Sequence, residues 1–361
     1  MNRMAVAICS ILAAKISTDE TSTLGAKPVY METLLQVVRS RVRGCQTPQP
    51  QQQQLHLEMQ GDEQMENQED HEELQEEGYE QDHGQGEEEH EEEGEVQNQP
   101  NPGVEPDIML KFTLSALWNL TDESPSTCSM FLEKGGISLY LEVLKFYRGL
   151  PSVEMKILGL LNNIAEVPAL RRRLMTWQFI SCLRKLLASK SIDVSYFAAG
   201  IFAHLMSDYD SWTEFCYISH FQSHRFYKED IASQLSAVVL SWKTPENEMV
   251  AYRSFNPFLP LLRCNYFPEV QLWAVWAIHH VCSKNSGRYC EMLLQGETLE
   301  LFKGVMKTAH ENRHVPLIKY CQQTIQVLRT TFPHASRELE WYLEEPVAMS
   351  NVIPLLETAI G

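Results

Sequence analysis

Between residues 44 and 107 the chain has no lysine and no arginine, although that stretch holds 21 aspartates or glutamates. The formal charge of −18 therefore belongs to one segment, because the other residues carry 27 acidic against 30 basic side chains. Aromatics are scarce there too, and Gln, Glu and Pro dominate from "GCQTPQPQQQQ" to "EEEHEEEGEVQNQPNPG". Such a composition cannot bury enough apolar surface to offset the entropy of ordering the chain. Residues 44–107 are expected to be a disordered Gln/Glu-rich insertion, either a solvated spacer or a tail that attracts basic partners.

Other absences narrow the function classes. No run reaches the roughly eighteen apolar residues of a membrane span, so no membrane partner is expected. The N-terminal "RMAVAICSILAAK" has a basic start and a short apolar stretch, and reads either as a signal peptide or as a buried repeat helix. No CxxC pair occurs, and the nine cysteines are irregularly spaced. That pattern suggests free thiols in a reducing compartment, the cytoplasm or the nucleus. His279, His280, Cys282 and Cys290 fit no zinc spacing and read as core and surface residues. Phosphate-cradling GxGxxG and GxxxxGK[ST] strings are missing, and so is GxSxG. No cofactor, no metal, no nucleic acid and no catalysis are expected.

What the chain does contain is repetition. "ALWNLTDES" at residues 116–124 and "GLLNNIAEV" at 159–167 each write an apolar turn, an asparagine, then a carboxylate three residues on. Four windows place an aliphatic residue or Met ten positions before an Asn or His: Met109/Asn119, Val153/Asn163, Val194/His204 and Val270/His280. Their successive gaps of 44, 41 and 76 residues match the period of armadillo or HEAT repeats, the last nearly holding two units. Apolar residues recur at three and four positions, so helices are expected and strands are not.

The predicted architecture is all-α, an armadillo-like right-handed superhelical solenoid. Residues 1–43 form a partial first repeat, 108–332 the remaining repeats and 333–361 a C-terminal tail. "PVYMETLLQVVRSRVR" reads as a second helix and "IMLKFTLSALWNLT" as the third helix of one unit, which the acidic insertion interrupts in a loop, where added length costs little. "EMVAYRSFNPFLPLL" reads as one repeat's last helix running into the next repeat's second helix, with Pro257 breaking the turn. Stacked third helices would line a concave groove, with Asn119, Asn163, His204 and His280 as a ladder facing it and Asn162 beside them.

Asp122 and Glu166 lie one turn beyond Asn119 and Asn163 on the same helical faces. Adjacent stacked helices sit about 10 Å apart, so both carboxylates are expected to converge on one cation, with Trp118 as an apolar wall. Charge-assisted hydrogen bonds of about 1.5–3 kcal/mol each would select an ammonium. The plainer reading of the same residues is architectural: the asparagines bond neighbouring backbone, the acids cap loops and Trp118 is core.

"LKFTLSALWNLTDESPSTC", "KILGLLNNIAEV", "VSYFAAGIFAHL", "MVAYRSFNPFLPLL" and "VQLWAVWAIHHVCSKNSGRYC" closely resemble the armadillo domain of the Zyg-eleven and Zer-one family. The resemblance covers roughly residues 3–43 and 108–329. It implies a substrate receptor of a cullin-two RING ubiquitin ligase, working with elongin B and C, whose groove binds proteins with an exposed N-terminal glycine. It also implies a pocket of Trp118, Asn119, Asp122, Asn163 and Glu166, in which the acids pair with the α-ammonium, the amides grip the first peptide unit and Trp118 limits side-chain size. Leucine-rich repeats and a cullin-docking box, which the family carries ahead of this domain, do not occur in this sequence, and the segment "ELEWYLEEPVAMSNVIPLLETAIG" has no counterpart in the family. The rival readings are an armadillo scaffold without ligase function and an importin-like carrier. A carrier would repeat WxxxN on several third helices, whereas here only Trp276 with His280 has that spacing.

Overall fold

The computed structural model describes residues 26–44, 105–221 and 228–334. The apolar N-terminal stretch, residues 45–104 of the acidic insertion and the tail beyond residue 334 lie outside the described residues. Among the described residues every regular element is helical, and no helix is long and apolar enough to cross a membrane.

The helices fall into successive units, and from the second unit on, wherever a third helix forms, it is the longest of its unit. α1 (Pro28–Gly44) and α2 (Ile108–Thr121) end the first unit. α3 (Pro125–Glu133), α4 (Gly136–Phe146) and α5 (Pro151–Glu166) form the second. The third has a short 3-10 turn (Pro168–Arg173), then α6 (Trp177–Leu187) and α7 (Ile192–Met206). α8 (Tyr209–Phe221) and α9 (Lys228–Ser241) begin a fourth. A 3-10 turn (Asn256–Phe258), α10 (Leu259–Leu262) and α11 (Pro268–Lys284) follow, and α12 (Ser286–Leu294), α13 (Thr298–Glu311) and α14 (Val315–Thr331) close the series. α2, α5, α7, α11 and α14 pack side by side in that order, the layered stacking of an armadillo-like solenoid.

Local chemistry explains these elements. Proline occupies the first turn of α3, α5, α11 and α14, where its missing N–H removes a donor that has no helical acceptor. Asp107 caps α2 by accepting from the Leu110 N–H at 2.7 Å, and its other oxygen lies 3.2 Å from Arg41 on α1. The last residue assigned to the insertion thus belongs to the folded part. α7 is apolar around its whole circumference and buried along nearly its whole length, as a helix enclosed on all sides must be. One continuous core runs from Met31 to Leu328, and the seven described cysteines are all free thiols.

One expectation fails. The helix anticipated in "EMVAYRSF" does not form, and residues 242–255 run as an extended strap without regular structure. Pro245 withdraws an N–H and disfavours helix in the residue before it, and Pro257 does the same at the other end. With no third helix in the fourth unit, α7 packs directly on α11. The wide spacing of 76 residues between Val194 and Val270 is this missing helix.

The strap lies along α7 and is tied there by aromatic and polar contacts. Trp242 Nε1 donates to Ser195 Oγ at 3.0 Å, and the Tyr252 and Tyr196 hydroxyls share a short hydrogen bond. Met249 N–H reaches His280 Nε2 at 3.4 Å, and Tyr252 N–H reaches the Tyr289 hydroxyl at 3.2 Å. The groove is therefore covered over α7 and lined by α2 and α5 beside the strap.

Candidate functional site

A cavity of about 380 Å³ sits between the third helices α2 and α5 on one side and strap residues 249–254 on the other. Trp118, Asn119, Asp122, Asn162, Asn163 and Glu166 all line it, joined by Glu123, Phe197 and Arg288. A second cavity of about 560 Å³ shares Asn163, Glu166 and Arg253 with the first and is walled by Pro125, Pro168, Pro257 and Pro260.

Trp118 is held by a glycine. A Cβ at position 159 would stand 2.3 Å from the Trp118 ring, so the indole lies flat against bare α5 backbone. Phe197 of α7 meets the indole edge-on, with centroids 5.2 Å apart at 89°. Gly200 does the same one helix further on, where a Cβ would come within 2.6 Å of both Asn162 Oδ1 and the Trp273 ring. The small residues of the third helices are there to let large ones approach.

Asn163 carries an architectural role. Its Nδ2 donates to the Trp118 carbonyl and to Thr121 Oγ1, both at 3.1 Å, and so satisfies acceptors at the C-terminus of α2. Asn162 Nδ2 donates to Glu166 Oε1 at 2.8 Å, while Asn162 Oδ1 is buried without a partner.

The two acids differ. Asp122 forms an ion pair with Arg253 of the strap, Nε to Oδ2 at 2.9 Å. Burial raises the Asp122 pKa, and Arg253 opposes that rise. Glu166 has no basic side chain within ion-pair distance among the described residues. Burial, then the charges of Asp122 and Glu123, push its pKa up to about 8. The expectation of two unpaired carboxylates awaiting one external cation thus needs correction. They do converge, but the strap supplies a cation to Asp122, and Glu166 alone lacks one.

Glu123 sits just past the end of α2 with φ at +51°, a left-handed conformation that glycine or asparagine usually takes. Its carboxylate accepts from Ser254 Oγ at 3.2 Å. Asp122–Arg253 and Glu123–Ser254 together form a clasp between the end of α2 and the strap.

Two groove-lining expectations are overturned. His204 is buried against Trp273, with centroids 6.1 Å apart, and burial then Arg171 lower its pKa well below the ordinary range. His280 is buried, stacks on Trp276 at 5.3 Å and fastens the strap through Met249. Both follow the ladder spacing, yet the strap and α11 cover the face they point to. Trp276 is buried as well, so the one carrier-like Trp–His pair is internal packing. Residues 310–314 read HENRH, the spacing of a zinc-binding helix. His310 lies in the last turn of α13, Arg313 adopts φ +55° and His314 caps α14 by accepting from Leu317 N–H at 3.3 Å. The two histidines therefore do not share a helical face, and no metal-holding cluster exists among the described residues.

The strap was not legible as part of the site. Its signals were negative: Pro245 and Pro257, and no leucine periodicity between them. Pairing of Arg253 with Asp122 links residues far apart in the chain, and no local pattern announces it.

The family described as "Protein zer-1 homolog-like, C-terminal domain" matches residues 1–330. Human protein zer-1 homolog is 35% identical over 232 residues, covering 64% of this chain and 28% of its own. Zyg eleven-related protein 1 of Caenorhabditis elegans is 31% identical over 187 residues, covering 51% of this chain and 20% of its own. Among solved structures, a designed armadillo repeat protein in complex with peptide (KR)4 aligns over 62% of this chain and 77% of its own, at 18% identity and a TM-score of 0.33. The chain spans 28% of the length of the human relative it matches. With its residues 1–330 matched throughout, this chain belongs to the protein zer-1 homolog-like family.

Proposed function

We propose that this domain is the substrate-recognition part of a ubiquitin ligase receptor and that its cavity receives the free N-terminus of a protein beginning with glycine. Glu166 is the observation that carries the reading. A carboxyl group placed beside two carboxylates, desolvated and without an ion-pair partner, is poorly accommodated as an anion until a positive group arrives. An α-ammonium has the charge and the three donors to occupy that place. Asp122 contributes at longer range while it holds Arg253.

Glycine selectivity follows from the walls. Trp118 is fixed between Gly159 and Phe197 and cannot retreat, so a Cβ substituent on the first residue would meet a rigid indole. Asn119 and Asn162 stand beside the first peptide unit.

Binding of one peptide in free and N-acetylated forms tests the reading. Acetylation removes the charge and two donors, and loss of binding by at least tenfold is expected. Equal affinity for both forms would refute N-terminal recognition and leave a general armadillo scaffold. Recruitment of cullin-two with elongin B and C is proposed on family membership. Affinity capture of the natural protein, followed by detection of those three subunits, checks it.

A further inference from the structure

A third cavity, of about 950 Å³, shares no lining residue with the two beside the strap. It runs between α4 and α6, the second helices of adjacent units, and takes in the turns that lead into α5 and α7. Four bases line it: Lys145 on α4, Arg148 in the α4–α5 turn, Lys185 on α6 and Lys190 in the α6–α7 turn. All four are exposed, and none lies within ion-pair distance of an acid among the described residues. Other surface cations do pair: Arg172 with Glu214, Arg263 with Glu297 and Lys303 with Glu300. Charges from both walls meet at the Cys182 thiol of α6, whose pKa burial raises, Arg148 lowers, Glu154 raises and Lys185 lowers.

Like charges gathered in one cleft repel each other, and a bound anion relieves that repulsion. The rest of the lining says which anion. Leu141, Leu144 and Leu186 supply apolar surface, and Glu142 and Glu154 set two carboxyl groups among the bases. An evenly charged phosphate backbone would meet those carboxyls and leave the leucines uncovered. A polypeptide can lay carboxylates on the bases and apolar side chains on the leucines. The acidic stretch of this chain brings charge but a single aromatic residue, Tyr79, in residues 44–107. We infer that this cleft is a second recognition surface, a dock for an acidic segment of a partner protein whose carboxylates pair with Lys145, Arg148, Lys185 and Lys190 and whose apolar side chains cover the leucines. It does not depend on the proposed function of the strap-side cavity, because the two share no residue.

Fluorescence polarisation with the full chain tests the dock. The ligand is the synthetic peptide EDELFEDLE, acetylated and amidated at its ends so that it brings no α-ammonium, and the controls are its amide version QNQLFQNLQ and a thymidine oligonucleotide of equal length. Binding of the acidic peptide should weaken about tenfold or more in three cases: when amides replace its carboxylates, when salt rises from ~0.05 M to ~0.5 M, and in the double variant Lys145→Glu/Lys185→Glu, checked by circular dichroism for retained helicity. That variant should bind a Gly-initiated peptide with unaltered affinity. On the natural protein, bound acidic peptide should slow alkylation of Cys182 by iodoacetamide about threefold or more, read at that residue by mass spectrometry, a measurement that needs no variant. Equal binding of the amide peptide, undiminished binding by the variant, or binding without protection of Cys182 overturns the dock. Tighter binding of the oligonucleotide than of the peptide makes the cleft a nucleic-acid site and overturns it too. So does the absence of binding to the full chain, and recovery of binding after excision of residues 50–100 would give the cleft to the chain's own acidic stretch. Binding of the acidic peptide without any binding of Gly-initiated peptides supports the dock and defeats the proposed function.

Discussion

Glu166 and Asp122 look equivalent along the chain and are not equivalent in space. Asp122 already has Arg253, so Asp122→Asn should weaken peptide binding modestly and loosen the strap. Glu166→Gln keeps the bond geometry with Asn162 but removes the charge, and should abolish binding with circular dichroism unchanged. An equal loss for both substitutions would show that the acids act as one unit.

The Glu166 pKa adds a pH dependence. In the free protein at neutral pH Glu166 is mostly protonated, because its pKa stands at about 8. An incoming ammonium favours the carboxylate, so binding below that value releases a proton. Affinity should therefore rise from pH 6 towards pH 8. Above that it should fall as the α-amino group, with an ordinary pKa of about 7.7–8.0, loses its own charge. Calorimetry in buffers of different ionisation enthalpy would count the released proton, and Glu166→Gln should flatten the rising limb. Stability moves the other way. The folded pKa lies above the unfolded one, so the folded state binds the extra proton, and stability falls as pH climbs from about 4.5 towards 8. The melting temperature of Glu166→Gln should exceed that of the natural protein at pH 8 and approach it at pH 5.

At the scale of elements, the groove depends on close approach of third helices. Gly159→Ala gains up to about 1 kcal/mol of helix propensity. It also drives a methyl into the Trp118 ring, and such overpacking costs about 1–3 kcal/mol. A drop of several degrees in melting temperature and a changed tryptophan emission are expected, with peptide binding lost because the indole is displaced. The helices were readable in the sequence: "IMLKFTLSALWNLT" is α2, and "PVYMETLLQVVRSRVR" lies within α1. Their apolar spacing is local, and local spacing is what a single chain displays. The strap is not legible locally, because the partners that hold it lie on α7, α11 and α12.

Over the whole molecule, the acidic stretch and the repeats are separate matters. Asp107 caps α2 and pairs with Arg41, so a deletion that spares it should leave the solenoid folded. Excising residues 50–100 shortens the loop between α1 and α2, and by loop-closure entropy should raise stability by about 1–2 kcal/mol. A large fall in melting temperature on thermal denaturation would show that the stretch packs on the repeats.

Composition and periodicity alone determined that this chain is helical and repeating, that its acidity is concentrated in one stretch and that the Asn-to-acid spacing of Asn119/Asp122 recurs at Asn163/Glu166. Those are properties of residue spacing and survive without knowledge of neighbours. Tertiary structure alone decided which acid has a cation, which ladder positions are covered and where the groove ends. Each of these depends on a strap whose contacts reach other units, and electrostatics and burial are set by what lies across the groove.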